Sequence, residues 1–354
     1  MEQGRRYVLV ARLGAAIRPA FSSFVAIAGA IAVGTSILIG TGVDPGFAYF
    51  IILSESLGTE FGVTKILIEL VPLLITALGL LICFRAGIWN LGAQGQMLIG
   101  ALLANVVGYS FGPLPSPVII PLLLLAGMVA GAAWALPPAL LKAKLGINEV
   151  ITTMLLNFVA MNILRFLIKG ILRDVREEHP LTYPIVSTAK LPNIYGTQVH
   201  IGILIALAFG AVVYLLMART KLGFELRILG QSLKTARYIG LPVGRLIVLA
   251  FVISGAASGL AGAIQVSGVM RNINPVWTPG YGLAAVSLVF IAKMSPIAVI
   301  PLSLLFAVLL VGGDIMHRTT GVPVYFVDIL LGLMLLFFAV SEVVWRIQMR
   351  RVEG

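Results

Sequence analysis

Three uncharged amide side chains lie within seven residues of one apolar stretch and are the clearest candidates for polar chemistry. Residues 84–100 read FRAGIWNLGAQGQMLIG, which sets Asn90, Gln94 and Gln96 among glycines. Amides donate and accept hydrogen bonds without carrying charge. A broken helix inside a bilayer is tolerated where it is buried in protein or lines a water-filled cavity. The pattern therefore predicts either a pathway for an uncharged polar solute or hydrogen bonds between neighbouring helices.

Two further side chains complete the predicted pathway. Trp89 adjoins the first amide and could stack on a base or on the face of a sugar. Asn157 lies near the middle of another apolar segment, one turn after Thr153. A polar group within a membrane helix marks either a functional site or an interhelical hydrogen bond, and both interpretations stay open for Asn157.

Motifs for catalysis or cofactor binding are missing from the sequence. It contains no G-x-x-x-x-G-K-[ST] loop for ATP and no G-x-S-x-G elbow for a nucleophilic serine. His179, His200 and His317 are far apart, and Cys83 is the only cysteine. We therefore expect no enzymatic activity, no metal and no cofactor in this chain.

The composition is that of an all-α polytopic membrane protein. Of 354 residues 59% are hydrophobic and 11% charged, and the mean hydropathy is +1.05. A soluble domain carries roughly 25% charged residues. The net charge of +11 sits in short segments between apolar spans, which is typical of orientation signals and contact with anionic membrane lipid. With no soluble basic domain, we expect no nucleic-acid partner.

Hydropathy predicts a single transmembrane domain, residues 1–354, with about ten helices. The eighth segment is too short to cross alone and is either half of a broken helix or continuous with the ninth. The predicted segments are 21–39, 65–84, 90–109, 118–140, 150–168, 199–216, 246–265, 283–293, 295–313 and 322–345.

Positive charge orients these segments. With a cytoplasmic N-terminus, 17 Lys and Arg fall on the cytoplasmic side and 8 on the other. Loops rich in Lys and Arg stay in the cytoplasm. Both termini are therefore predicted to be cytoplasmic, and residues 169–198 to form a periplasmic loop.

The segment 217–245 is basic and amphipathic, and it is interrupted by Gly230 and Gly240 before Pro242. It is either a membrane-surface loop that fixes orientation or a docking element for a soluble partner. Its order Glu225-Leu226-Arg227, Gly230, Ala236-Arg237, Gly240, Pro242-Val243, followed by Gly259-Leu260-Ala261-Gly262, resembles the coupling loop of ABC importer permeases. Within these permeases, the segment resembles the branch that transports ribose-like sugars, branched-chain amino acids and nucleosides.

Two other segments resemble the nucleoside and simple-sugar members of that branch. Residues 84–100 are similar to a FRAGLFNIGAEGQ-type segment, and residues 146–158, GINEVITTMLLNF, to a GVNEVISTLMLNY-type segment. Trp89 and Gln94 differ from the commoner aromatic and acidic residues of that pattern, and the second change removes a charge.

The resemblance implies a permease subunit of an ATP-driven importer, in the bacterial inner membrane, that carries a nucleoside or simple sugar by alternating access. It implies three partners: a cytoplasmic ATP-binding subunit, a second homologous permease, and a periplasmic or lipid-anchored solute-binding protein. The two permeases are expected to form a heterodimer more readily than a homodimer. The residues that it assigns to ATPase coupling are Glu225, Arg227, Gly230, Ala236, Arg237, Gly240 and Pro242. The alternative is an ion-coupled secondary transporter of a small polar solute.

Overall fold

The computed structural model describes residues 24–112, 114–323 and 325–353, with side chains up to residue 344. Thirteen α-helices account for most of this part of the chain, and its only β-pairing is two isolated bridges. The N-terminal arginines used for orientation lie outside the described residues. The helices are α1 Phe24–Gly40, α2 Pro45–Leu57, α3 Glu60–Arg85, α4 Ala93–Ser110, α5 Ser116–Leu145, α6 Glu149–Lys169, α7 Gly202–Arg219, α8 Lys221–Gln231, α9 Leu233–Tyr238, α10 Val243–Gln265, α11 Tyr281–Ile291, α12 Pro296–Thr320 and α13 Phe326–Glu353.

The expectation of about ten transmembrane helices requires correction. Among the described residues, seven helices are long and apolar enough to cross a membrane: α3, α5, α6, α7, α10 with the π-helical turn after it, α12 and α13. The bent pair α1 and α2, at 118°, raises the number to eight if it is one span. The predicted segment 90–109 is α4, which is outside this set because its amides lower its hydropathy.

The short segment 283–293 is α11, a helix of 11 residues that is separate from α12. Lys293 and Met294 between them have φ of 49° and 56°, which ends α11 and reverses the chain. The two segments therefore do not join into one helix. At about 1.5 Å per residue, 11 residues span roughly half of a bilayer's hydrocarbon core.

Helix α10 forms the centre of the bundle, packed against α3, α4 and α5. Small residues allow this contact, since a Cβ at Gly259 would lie 2.1 Å from the Gly127 carbonyl oxygen and one at Gly255 2.5 Å from that of Gly131. Backbone approaches of this kind replace hydrophobic side-chain packing between membrane helices. The Gly255–Gly262 stretch is thus an interhelical contact surface.

The predicted periplasmic loop, 169–198, folds back onto one end of the bundle. Asn105 on α4 donates to the carbonyl oxygens of Tyr183 and Arg271 at 3.2 and 3.3 Å, and Ser267 donates to that of Ala189 at 2.6 Å. Beside this loop His200 is buried, which lowers the pKa of its imidazole, and its Nδ1 accepts from the Gly202 N–H. The loop is thus fixed to the end of the bundle where α10 ends.

Candidate functional site

The amides lie at the break between α3 and α4. Asn90 is in residues 86–92, which we call the connector, and Gln94 and Gln96 are in the first turn of α4. Helix α3 ends because Gly87 takes a φ of 72°, in the left-handed region that glycine enters at little cost. The Ile88 N–H closes the end by donating to the Cys83 carbonyl oxygen at 3.0 Å. The connector then runs without regular secondary structure until α4 begins at Ala93. Backbone groups left without helical partners here must bond to other elements.

Asn90 and Gln96 satisfy each other at the centre of this break. Each amide nitrogen donates to the other's amide oxygen at 3.1 Å, and both side chains are buried. Asn90 also donates to Ser254 on α10 at 3.0 Å and accepts from the Gly92 N–H at 3.0 Å. In this structure the two amides join the connector, α4 and α10, which is the interhelical alternative left open by the sequence.

One stripe of α6 holds the connector from the other side. Glu149, Thr153 and Asn157 recur every four residues and therefore share a helix face. They accept from the backbone N–H groups of Trp89, Leu91 and Gly95 at 3.4, 3.2 and 2.8 Å, respectively. Asn157 also donates to the Leu91 carbonyl oxygen at 2.8 Å, and Lys142 forms an ion pair with Glu149 at 2.7 Å. The sequence signal for this stripe is a polar residue at every fourth position of an apolar helix. Of the three residues, only Asn157 was predicted to belong to the pathway.

Of the predicted pathway residues, Asn90 and Gln96 are buried, Gln94 and Asn157 are half-buried, and Trp89 is exposed. Trp89 is 46% exposed, and its ring stacks on Phe290 of α11, with centroids 5.1 Å apart. The Phe84 ring also stacks on Phe290, with centroids 5.0 Å apart. Gln94 is half-buried and packs against Gly282 of α11. Trp89 and Gln94 thus face the short helix α11.

A cavity of about 1210 Å³ lies between α11 and α13, and Trp89 forms part of its wall. Gly280 and Asp328 lie together at one end, and Lys293 and Glu342 at the other. The two helices therefore run in the same direction along the cavity. Its middle is mainly apolar, and the residues that line it there include Leu283, Val286, Ser287, Phe290, Leu331, Leu335 and Phe338. Asn90, Gln94, Gln96 and Asn157 are not among its lining residues.

The predicted coupling residues fall on α8, α9 and the turn after them. Glu225 pairs with Lys221 at 3.7 Å, Arg227 is half-buried, and Ala236 is fully buried. Arg237, Gly240 and Pro242 are exposed, as are the apolar side chains Leu233, Tyr238 and Ile239 nearby. This mixed apolar and basic surface is available for contact.

Gly230 brings α8 into backbone contact with the connector. A Cβ at Gly230 would lie 2.1 Å from the Arg85 carbonyl oxygen and 3.0 Å from the Gly87 nitrogen. Nothing but glycine fits against these atoms without moving one of the two segments. The surface formed by α8 and α9 is therefore linked, through the connector, to the wall of the cavity.

The chain matches a known protein family and is similar to several characterised permeases. Residues 62–339 match the family described as branched-chain amino acid transport system / permease component. The chain is 35% identical over 324 residues to a glucose ABC transporter permease of Haloferax volcanii, covering 88% of this chain and 85% of that protein. It is 28% identical over 319 residues to one guanosine ABC transporter permease of Bacillus subtilis, covering 88% and 90%. A second guanosine permease of that organism is 25% identical over 249 residues, covering 68% and 77%, and no solved structure matches the chain.

Proposed function

The chain belongs to the permease-component family of branched-chain amino acid transport systems, and from this premise we propose that it carries a nucleoside or a simple sugar. It is a multi-pass membrane subunit of an ABC importer and not itself an enzyme. Importers of this kind use a separate ATP-binding subunit and a solute-binding protein. The membrane is proposed to be the bacterial inner membrane, with both termini and residues 217–245 in the cytoplasm and residues 169–198 in the periplasm.

The observation that supports a nucleoside or a sugar as the solute is the exposed Trp89 ring in the wall of the α11–α13 cavity. An indole face binds a nucleobase by stacking and a sugar through its apolar C–H face. The apolar middle of the cavity offers no fixed charge to a charged solute. Within the predicted pathway, we assign Trp89 to contact with the solute, and Asn90, Gln94, Gln96 and Asn157 to the surrounding part that fixes the position of Trp89.

A second homologous permease is proposed as partner, more readily a paralogue than a second copy. Two guanosine permeases of Bacillus subtilis match this chain, which supports a system with two different permeases. Co-expression of this chain with a tagged copy of itself and with a homologous permease from the same organism tests the pairing, because co-purification with the tagged copy alone contradicts it.

Uptake into proteoliposomes tests the solute. The complete complex, with its ATP-binding subunit, second permease and binding protein, should accumulate labelled nucleoside or hexose only when ATP is present. Trp89→Ala should lower that uptake by about tenfold, the value of one lost aromatic contact of roughly 1.4 kcal/mol. Uptake driven by an ion gradient without the ATP-binding subunit would instead support a secondary transporter.

The coupling surface is tested by a double substitution on α9 and the turn after it. Arg237→Glu with Gly240→Trp reverses a charge and adds a large ring on the exposed surface, so we expect lost association with the ATP-binding subunit and normal membrane insertion. The matched control is Arg318→Glu with Gly321→Trp, which has the same spacing. Gly240 and Gly321 have φ of 77° and 75°, and a Cβ at either meets no atom within 4 Å. Equal association of both variants, measured by co-purification, would contradict the docking assignment.

A further inference from the structure

One end of the α11–α13 cavity is spanned by an ion pair. Lys293 Nζ, just after α11, lies 3.9 Å from Glu342 Oε2 on α13, and both side chains are about one-quarter exposed. Both residues line the cavity, and Lys293 also lies 5.9 Å from the centre of the Phe338 ring. An ion pair removed in part from water holds its geometry better than a surface pair does. It therefore connects the two walls of the cavity at this mouth.

The backbone that carries Lys293 is strained. Lys293 and Met294 both lie in the left-handed region, which side chains other than glycine rarely adopt. Such a conformation persists where surrounding contacts hold it. The backbone N–H groups of Lys293 and Met294 donate to the carbonyl oxygens of Phe290 and Val289, at 2.8 and 2.9 Å. The side-chain contact to this turn from α3 is a hydrogen bond from Arg85 Nε to the Met294 carbonyl oxygen, at 2.8 Å. Arg85 thus helps to fix the turn that presents Lys293 to Glu342.

Arg85 also lies against α8. Its carbonyl oxygen is the atom nearest to a Cβ built on Gly230, and its side chain reaches the α11–α12 turn. A shift of α8 against α3 would therefore act on both ends of this residue. A continuous series of contacts therefore begins at the surface formed by α8 and α9 and passes through Gly230 to Arg85. From Arg85 it continues through Met294 to the pair Lys293 and Glu342.

We propose that the Lys293–Glu342 pair is the gate at the cytoplasmic mouth of the solute cavity and that Arg85 is the positioning residue through which α8 controls it. The proposal rests on the proposed function, which makes this cavity the solute path. With the pair formed, α11 and α13 are tied together and the mouth is closed to cytoplasmic water. Movement of α8 displaces Arg85, releases the strained turn and separates the pair.

Accessibility of a single thiol tests the gate. Cys83 is fully buried and is the only cysteine, so Cys83→Ala gives a background in which Gly332→Cys places one thiol in the cavity. A side chain at Gly332 meets no atom within 4 Å. It lies ten residues from Glu342 on α13, about 15 Å deeper along the helix. The readout is the labelling rate with a membrane-impermeant maleimide in inside-out vesicles that hold the whole complex without nucleotide.

Lys293→Gln or Glu342→Gln should each raise the labelling rate by about fivefold, as expected for the loss of one partly buried ion pair. The charge swap Lys293→Glu with Glu342→Lys should restore the slow rate. Arg85→Met should raise the rate as well, and should add nothing to Lys293→Gln, because both act on one gate. Arg318→Glu, which breaks the exposed pair with Asp314 outside the cavity lining, is the control and should leave the rate unchanged.

These outcomes separate the gate from the proposed function. If solute uptake is ATP-driven but labelling is as slow in both glutamine variants as in the parent, the gate is wrong and the transport function stands. A charge swap that fails to restore slow labelling also overturns the ion pair as the gate. If no solute is taken up, the labelling series still reports on the mouth of the cavity. Should Lys293→Gln fail to reach the membrane, Glu342→Gln tests the same pair from α13.

Discussion

Replacing Gly230 by alanine should lower ATP-driven uptake by about 10- to 100-fold, the effect of overpacking that costs roughly 1–3 kcal/mol. The new Cβ would lie 2.1 Å from the Arg85 carbonyl oxygen and 3.0 Å from the Gly87 nitrogen. Both are backbone atoms, so no side-chain rotation relieves the contact. Alanine suits the last turn of α8 better than glycine does, and the helix itself therefore remains. Either α8 or the connector must move, which displaces the proposed link between them.

The measurement compares uptake with ATP hydrolysis in the same proteoliposomes. We expect the Gly230→Ala complex to assemble and hydrolyse ATP while uptake falls, because the altered contact lies between the docking surface and the cavity. Gly244→Ala is the matched control, in the first turn of α10, where the nearest atom to a new Cβ is Ala143 Cβ at 4.0 Å. Equal uptake by the two variants would show that the Gly230 contact has no part in coupling.

The fold class was readable from composition, but the number of spans was not. Hydropathy windows measure how apolar a segment is, and α4 falls short because Gln94, Gln96 and Asn105 lie within it. Gln96 and Asn105 are buried against protein, where an amide is tolerated if it is hydrogen-bonded. Hydropathy averaged over a segment cannot distinguish a membrane helix with buried amides from a helix of a soluble protein. The turn at Lys293 and Met294 likewise depends on backbone angles that no hydropathy average contains.

The sequence singled out the segment around residue 90, but not the partners of its side chains. Three amides in seven residues indicated polar chemistry around residue 90, and the structure places them at a break between two helices. Whether an amide faces a solute or another helix depends on partners far away in sequence. Asn90 bonds to Ser254, and Arg85 to Met294. Such pairs follow from the packing of α10 and α11 against α3, which one sequence does not specify.

Replacing Asn90 by leucine should lower the free energy of unfolding by roughly 2–4 kcal/mol, since each orphaned buried polar group costs about 1–3 kcal/mol and somewhat less between membrane helices. Leucine has the same branching and the same number of side-chain heavy atoms, so the change removes hydrogen bonds and no packing atoms. Gln96 loses both amide contacts with residue 90, Ser254 loses a donor, and the Gly92 N–H loses its acceptor. These groups lie at the centre of the bundle, where water does not replace the lost partner.

Thermal unfolding of the detergent-solubilised protein, followed by size-exclusion chromatography after heating, measures this loss. Asn162→Leu is the matched control, because Asn162 donates only to the Phe158 carbonyl oxygen of its own helix, at 2.8 Å, in an exposed position. Its replacement orphans no partner on another helix, and we expect its stability to stay within about 0.5 kcal/mol of the parent. Asn90→Gln separates the geometry of the network from the presence of an amide, since a longer amide keeps the chemistry but does not fit the pair with Gln96. If Asn90→Leu were as stable as Asn162→Leu, the reciprocal amide pair would not be what joins the connector, α4 and α10.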